Sequence, residues 1–158
     1  MKINILSPNN FFKDHCSYSF AYPIIKSINL ISYGDDLHLY ATGSMVAEAI
    51  ELANKLKMEN INCSVFNFHT IKPIDTEQIK NSCKKTKTLI TMEEHSLIGG
   101  LKSAVSEVVV ELGTGTKIIS FGINDKYPSS GDYKFMLEKN DLTANQIIKK
   151  IKSKYVKL

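Results

Sequence analysis

The sequence lacks the features that mark zinc-knuckle, disulfide-rich and membrane-spanning proteins. Its 158 residues include no tryptophan and only three cysteines. Cys16, Cys63 and Cys83 form no Cys-X-X-Cys pair and are odd in number, which argues against a zinc knuckle and a disulfide framework. No segment approaches the roughly 18 apolar residues of a membrane span, and no long apolar run follows a basic amino terminus. We therefore expect a cytoplasmic protein.

The composition is that of an ordinary globular domain. Hydrophobic residues make up 43% of the chain and charged residues 23%, which suits one domain with one core. The net charge of +4 comes largely from lysines near the carboxyl terminus. No aromatic stacking motif accompanies them, so we interpret them as a solvated helix face and tail, not a nucleic-acid surface. These lysines are Lys149, Lys150, Lys152, Lys154 and Lys157.

Strand-like and helix-like patterns alternate over most of the chain. This alternation predicts one three-layer α/β/α domain, because parallel neighbouring strands need helical crossovers. The predicted strands are residues 27–32, 37–41, 63–68, 88–92 and 117–121, and the predicted helices are 46–56, 76–84, 101–112, 133–138 and 142–155.

Several short polar segments predict where these elements begin and end. Residues 33–36 have the composition of a turn, and Ser44 or Thr42 suits the N-cap of the first helix. Asp75 is placed to cap the second helix, and Gly113 to end the third. Residues 1–26 are rich in aromatic side chains without a clear period. We predict that they form an arm packed against the domain, residues 27–158, or against another chain.

Acidic side chains, a histidine and two glycines concentrate at one strand-to-helix crossover, residues 93–100. If the strand ends near Met92, then Glu93 and Glu94 point to opposite sides, so these residues and His95 cannot converge on a metal ion. Two interpretations remain open. Either a glutamate caps the following turn and His95 binds a backbone carbonyl, or His95 and a glutamate contact a partner subunit.

Two further sets of residues are candidates for binding. Gly99 and Gly100 precede a helix whose free N–H groups would attract an anion, and Gly43 with Ser44 offers the same geometry at another crossover. Glycines at such positions also serve close packing or tight turns. His69 and Lys72 lie in a loop beside Pro73 and are candidates for a contact with a neighbouring chain, or they are simply exposed.

Four segments, in their order and spacing, resemble the C-terminal domain of transketolase-like thiamine diphosphate enzymes. The resemblance extends from about residue 35 to 152. Its Glu-Glu-His segment is more similar to transketolase C-terminal sections than to deoxyxylulose phosphate synthases or to the β subunits of 2-oxoacid dehydrogenases, which tend to carry a tryptophan nearby. The segments are residues 41–46 (ATGSMV), 69–75 (HTIKPID), 93–101 (EEHSLIGGL), and 130–133 (SGDY) followed by 141–144 (DLTA).

The resemblance implies a five-stranded mixed sheet whose first strand is antiparallel to the others. It also implies that two preceding domains bind thiamine diphosphate and a divalent metal, and that the complete enzyme transfers a two-carbon ketol unit between sugar phosphates as a dimer. This chain has no Gly-Asp-Gly segment with a downstream asparagine for the metal. We therefore expect it to bind no cofactor or metal alone and to serve assembly with cofactor-binding domains on another chain, unless it is a shortened fragment.

One alternative function is a stand-alone binding or scaffold module, derived from that domain, that holds another protein or a small anion. The aromatic segment 1–26 motivates this alternative, because a cofactor-binding domain would stand there in a full-length enzyme. Another alternative is the corresponding domain of a deoxyxylulose phosphate synthase or of a 2-oxoacid dehydrogenase β subunit.

Overall fold

A five-stranded sheet with helices on both faces organises the computed structural model, which describes residues 28–127 and 130–155. The predicted arm, residues 1–26, lies outside the described residues. The strands are β1 (Ile28–Asp35), β2 (Leu37–Ala41), β3 (Cys63–Phe68), β4 (Thr88–Ser96) and β5 (Lys117–Ile123). The helices are α1 (Met45–Lys57), α2 (Thr76–Lys85), α3 (Leu101–Leu112), α4 (Tyr133–Lys139) and α5 (Ala144–Tyr155).

The sheet order is β1-β3-β2-β4-β5, with β1 antiparallel to β3 and the other pairs parallel. The central strand β2 is buried along its whole length, as expected for a strand covered on both faces. The mixed sheet and its antiparallel edge strand confirm the predicted fold class.

Each face of the sheet carries its own hydrophobic layer. Leu39 and Ala41 of β2 face the layer formed with α1 and α5, whereas Tyr40 faces the layer formed with α2 and α3. This alternation follows from the two-residue period of a strand. The two layers fix α1 and α3 on opposite faces, and the amino termini of these helices follow β2 and β4 directly.

The helix ends confirm some of the predicted caps. Asp75 accepts a hydrogen bond from the Gln78 N–H at 2.9 Å, which caps α2 as predicted. Gly113 ends α3 in the left-handed conformation with φ of 60°. Ser44 occupies the N-cap position of α1, but its hydroxyl does not cap the helix, so that part of the prediction is wrong.

Three predicted boundaries differ from the structure. The predicted turn at residues 33–36 is mostly strand, because the backbone of buried Gly34 exchanges hydrogen bonds with the Ser64 side chain. Strand β4 continues beyond Met92 because Ser96 pairs with Ile123 of β5. Leu142 is buried in the segment before α5, not inside the helix.

No helix in the described ranges has both the length and the apolar character needed to cross a bilayer.

Candidate functional site at the carboxyl edge of the sheet

Three of the segments that carry the family resemblance lie at the carboxyl ends of neighbouring parallel strands. Residues 42–44 follow β2, residues 69–75 follow β3, and Glu93 and Glu94 lie in the last part of β4. The carboxyl ends of parallel strands meet at one edge of a sheet, where α/β proteins commonly bind ligands. We call this region the carboxyl edge.

Glu93 is fully buried and caps helix α3. Its carboxylate accepts hydrogen bonds from the Leu101 N–H at 2.7 Å and the Lys102 N–H at 2.9 Å. These are N–H groups that the first turn of a helix leaves without intrahelical partners, and the positive end of the helix dipole favours a carboxylate there. Glu93 therefore follows the first of the two interpretations, in which a glutamate caps the next turn. Because it is buried, its carboxylate is not available to a partner chain.

Gly100 makes room for the Glu93 carboxylate. A β-carbon at position 100 would lie 2.0 Å from Glu93 Oε2 and 2.9 Å from the Ser96 carbonyl oxygen. The backbone at Gly100 has φ of −95°, which any residue adopts, so the requirement for glycine is steric. Gly99 instead has φ of 82° and open space around its missing side chain. The two glycines therefore have different roles, one in close packing and one in a turn.

At the candidate anion site of Gly99 and Gly100, the N–H groups of Gly99, Leu101 and Lys102 already bond within the chain. Glu93 takes the N–H groups of Leu101 and Lys102, and the Gly99 N–H donates to Ser103 Oγ at 2.9 Å. A carboxylate beside this helix terminus also repels a second anion. The sequence predicted the start of α3 and contained Glu93, but it did not show that the Glu93 carboxylate contacts this helix terminus.

Glu94 joins the other helix terminus at this edge. Ser44 Oγ donates a hydrogen bond to Glu94 Oε2 at 2.5 Å, across 50 positions of sequence. The other oxygen of Glu94 lies 3.9 Å from the position of a β-carbon on Gly43, whose φ of 59° suits glycine. The second candidate anion site, Gly43 and Ser44, is thus beside a carboxylate.

Tyr133, at the start of α4, completes a cluster with Ser44 and Glu94. Partial burial raises the pKa of the Tyr133 phenol, and Glu94 beside it acts in the same direction, while Ser44 opposes the shift. We call Ser44, Glu94 and Tyr133 the edge cluster. It brings together three of the four segments on which the family resemblance rests, although sequence reasoning named no role for Tyr133.

The edge cluster does not fit a metal-bound diphosphate. Glu94 would repel phosphate oxygens, and the cluster has no cation to offset that repulsion. Among the described residues, no three His, Cys, Asp or Glu side chains are close enough to hold a metal ion.

The remaining candidate residues at this edge are exposed. The His95 side chain is exposed and forms no hydrogen bond with another described residue, so the predicted bond to a backbone carbonyl is not found there. His69 is exposed and its Nδ1 lies 3.0 Å from Thr70 Oγ1, and Lys72 is exposed in the same loop. Exposed apolar side chains also follow β4 and begin α4, and sequence periodicity gave no sign of them. They are Ile98 (70% exposed), Tyr133 (51%) and Phe135 (43%).

A buried histidine lies away from this edge, on β2. His38 Nε2 is 3.7 Å from Asp35 Oδ1, and the ring packs 5.2 Å from that of Phe66. Neither ring nitrogen has a hydrogen-bond partner among the described residues. Burial lowers the pKa of His38, while Asp35 opposes the shift and Lys85 adds to it.

The family follows from a match that covers most of the chain. The model of the family described as transketolase, C-terminal domain, matches residues 27–147. The chain belongs to this family. A protein of Methanocaldococcus jannaschii named as a transketolase C-terminal section is 40% identical to it over 75% of this chain. A 1-deoxy-D-xylulose-5-phosphate synthase of Heliobacterium modesticaldum is 35% identical over 75% of this chain, and the matched region makes up 18% of that enzyme.

The same family relation holds in three dimensions. A solved structure described as a split gene transketolase, inactive beta4 tetramer, is 35% identical and superposes with a TM-score of 0.74. The match covers 80% of this chain and 41% of that one. The chain also spans 36% of the length of the Methanocaldococcus relative, so it corresponds to one part of these proteins.

Proposed function

We propose that this chain acts as the C-terminal section of a transketolase-like enzyme, assembled with cofactor-binding domains on another polypeptide. The assembled enzyme would transfer a two-carbon ketol unit between sugar phosphates. Support comes from relatives whose names describe a C-terminal section and a split gene. The observation that carries the proposal is the meeting of the family's segments at the carboxyl edge, through the bond between Ser44 and Glu94.

We propose that the carboxyl edge is the face that contacts the cofactor-binding domains. The exposed apolar side chains of Ile98, Tyr133 and Phe135 would gain roughly 25 cal/mol for each Å² buried in an interface. His95, His69 and Lys72 add exposed polar groups at the same edge. Glu94 contributes a half-buried carboxylate held by Ser44. Such a mixture of apolar anchors and polar groups is typical of specific protein interfaces.

The residues of this chain would position the complex without reacting. Thiamine diphosphate, when bound by the other domains with its divalent metal, supplies the carbanion chemistry. Glu93 would keep the start of α3 rigid, and the edge cluster would hold α1 and α4 beside β4, so that the docking surface has one shape. A reducing cytoplasm suits this role, because the described cysteines, Cys63 and Cys83, are free thiols.

The proposal is tested by measuring assembly with a polypeptide that carries the two cofactor-binding domains. Ile98→Asp should weaken the complex at least about tenfold, because it places a charge in the apolar centre of the interface. His95→Ala should weaken it less and leave the melting temperature unchanged. Lys84→Glu, an exposed substitution on α2, is the control and should not change the affinity. Equal affinities for all three variants would contradict the proposed face.

If no assembly occurs, the alternative function as a stand-alone binding or scaffold module would apply. In that case the chain would remain folded, fail to associate with the cofactor-binding domains at any concentration tested, and leave their activity unchanged. Such a result would reject the enzyme-section proposal itself, whereas unchanged affinity of Ile98→Asp rejects only the face.

A further inference from the structure

A cavity of about 180 Å³ opens beside the last strand, β5, on the α1 and α5 side of the sheet. Ile119 and Phe121 of β5 and Leu142 give it an apolar floor. Lys126 and Lys150 also line it, the first in the loop after β5 and the second on α5. Ile119, Phe121, Lys126 and Lys150 lie outside the segments on which the family resemblance rests, whereas Leu142 belongs to one of these segments and Leu97, which also lines the cavity, to another.

The cavity borders the open edge of the sheet. Strand β5 is the last strand in the sheet order and pairs only with β4 in the described structure. The Lys117 N–H bonds to the Lys87 carbonyl, so every second residue from Lys117 turns its backbone groups toward β4. The backbone groups of Ser120, which is half-buried, and of Gly122, which is buried but lines the cavity, therefore point away from β4.

Ser120 and Gly122 reach the cavity through this edge. Both residues line the cavity, although the Ser120 side chain turns to the other face, where Thr91 Oγ1 donates to it at 2.9 Å. Their backbone N–H and C=O groups bond to no other group in the part of the chain that the structure describes. An unpaired ladder edge beside a cavity is the arrangement that extended peptides use when they add a strand to a sheet.

The charges around the cavity indicate which peptide fits. Lys126 is exposed and forms no ion pair with another described residue. Lys150 pairs with Asp141 at 3.0 Å, but both side chains are about half exposed, and such surface pairs contribute at most about 1 kcal/mol. Asp141 also lines the cavity, so an acidic ligand side chain that replaces it on Lys150 is attracted by Lys126 and Lys150 and repelled by the single Asp141 carboxylate. The complementary side chain is acidic.

We propose that the open edge of β5 binds an extended, acidic peptide segment of another protein, which adds a sixth strand to the sheet. The peptide backbone pairs with Ser120 and Gly122, and an acidic side chain enters the cavity between Lys126 and Lys150. A second copy of this chain is the poorer occupant. The β5 strand of a second copy, Lys117–Ile123, carries no acidic side chain that could meet Lys126 and Lys150.

The test uses a capped synthetic peptide of about six residues, the usual strand length, with alternating valine and glutamate. A peptide of alternating valine and lysine is the comparison. The acidic peptide should bind the full chain more tightly than the basic one. The double variant Lys126→Glu with Lys150→Glu should weaken its binding at least about tenfold and reverse the preference. Lys84→Glu, on the opposite face of the sheet, is the matched control and should bind like the unmodified chain.

Amide hydrogen exchange distinguishes strand addition from simple charge attraction. On peptide binding, exchange at Ser120 and Gly122 should slow at least about tenfold, whereas Ile119 and Phe121 are already bonded to β4 and should change little. Binding without slower exchange at Ser120 and Gly122 would overturn the proposal, as would failure of the acidic peptide to bind. Protection of these amides that rises with protein concentration, without peptide, would instead identify a second copy as the occupant.

Discussion

Replacing the buried carboxylate of Glu93 by an amide should destabilise the domain by about 2 kcal/mol. Glu93→Gln keeps the size of the side chain, but its single carbonyl oxygen accepts from only one of the N–H groups of Leu101 and Lys102. A hydrogen bond to a charged group contributes about 1.5 to 3 kcal/mol, and the lost charge at the helix terminus adds about 0.3 to 1 kcal/mol. Relief of the cost of burying the charge offsets part of this loss.

Urea and thermal unfolding followed by circular dichroism would measure this effect. For a domain of this size, about 2 kcal/mol corresponds to a fall of roughly 5 to 10 °C in melting temperature. The control is Glu107→Gln, an exposed substitution on α3, which should stay within about 0.5 kcal/mol of the unmodified chain. If Glu93→Gln were as stable as this control, the capping role of Glu93 would be refuted.

Three further predictions concern separate parts of the structure. Gly100→Ala should destabilise the domain more than Gly99→Ala, because the new methyl group at position 100 meets the Glu93 carboxylate. At position 99 the only cost is the unfavourable φ. The urea unfolding midpoints of both variants measure the difference. Burial lowers the pKa of His38, so the unfolded chain takes up a proton before the folded chain does as the pH falls below about 6.5. His38→Leu should therefore lose less stability over this range than the unmodified chain. In urea melts from pH 7 to 5, the difference between their free energies of unfolding should change by up to about 1.4 kcal/mol per pH unit. Asp75→Ala should cost about 1 kcal/mol through loss of the α2 cap, and an unchanged melting temperature would contradict that role.

Local signals in the sequence were sufficient for most of the fold. Hydrophobic periods of two and 3.6 residues are set by nearest neighbours along the chain, so the alternation of strands and helices could be predicted. The Asp75 cap and the Gly113 stop depend on residues within one turn of the helix end, and the structure confirms both. Such contacts need no knowledge of the tertiary structure.

Contacts between distant segments account for what the sequence did not reveal. The Ser44 hydroxyl does not cap α1, because the Ser44 backbone is itself helical, with φ of −66° and ψ of −21°. The hydroxyl instead donates to Glu94, which only the packing of β4 beside β2 brings near. Strand β4 runs beyond its predicted end because Ser96 pairs with β5. Which of two adjacent glutamates caps α3 depends on which face of β4 carries α3. Pattern alone showed that Glu93 and Glu94 diverge, but not which of them is buried.

The proposed role as the C-terminal section of a transketolase-like enzyme requires that this chain complete an enzyme whose cofactor-binding domains lie on another polypeptide. The most direct measurement is ketol transfer between sugar phosphates, with thiamine diphosphate and Mg²⁺ present, by this chain, by a polypeptide with the cofactor-binding domains, and by their mixture. We predict activity that appears with the mixture and saturates as this chain is titrated in. The proposed role would be wrong if the cofactor-binding polypeptide had the same activity with and without this chain.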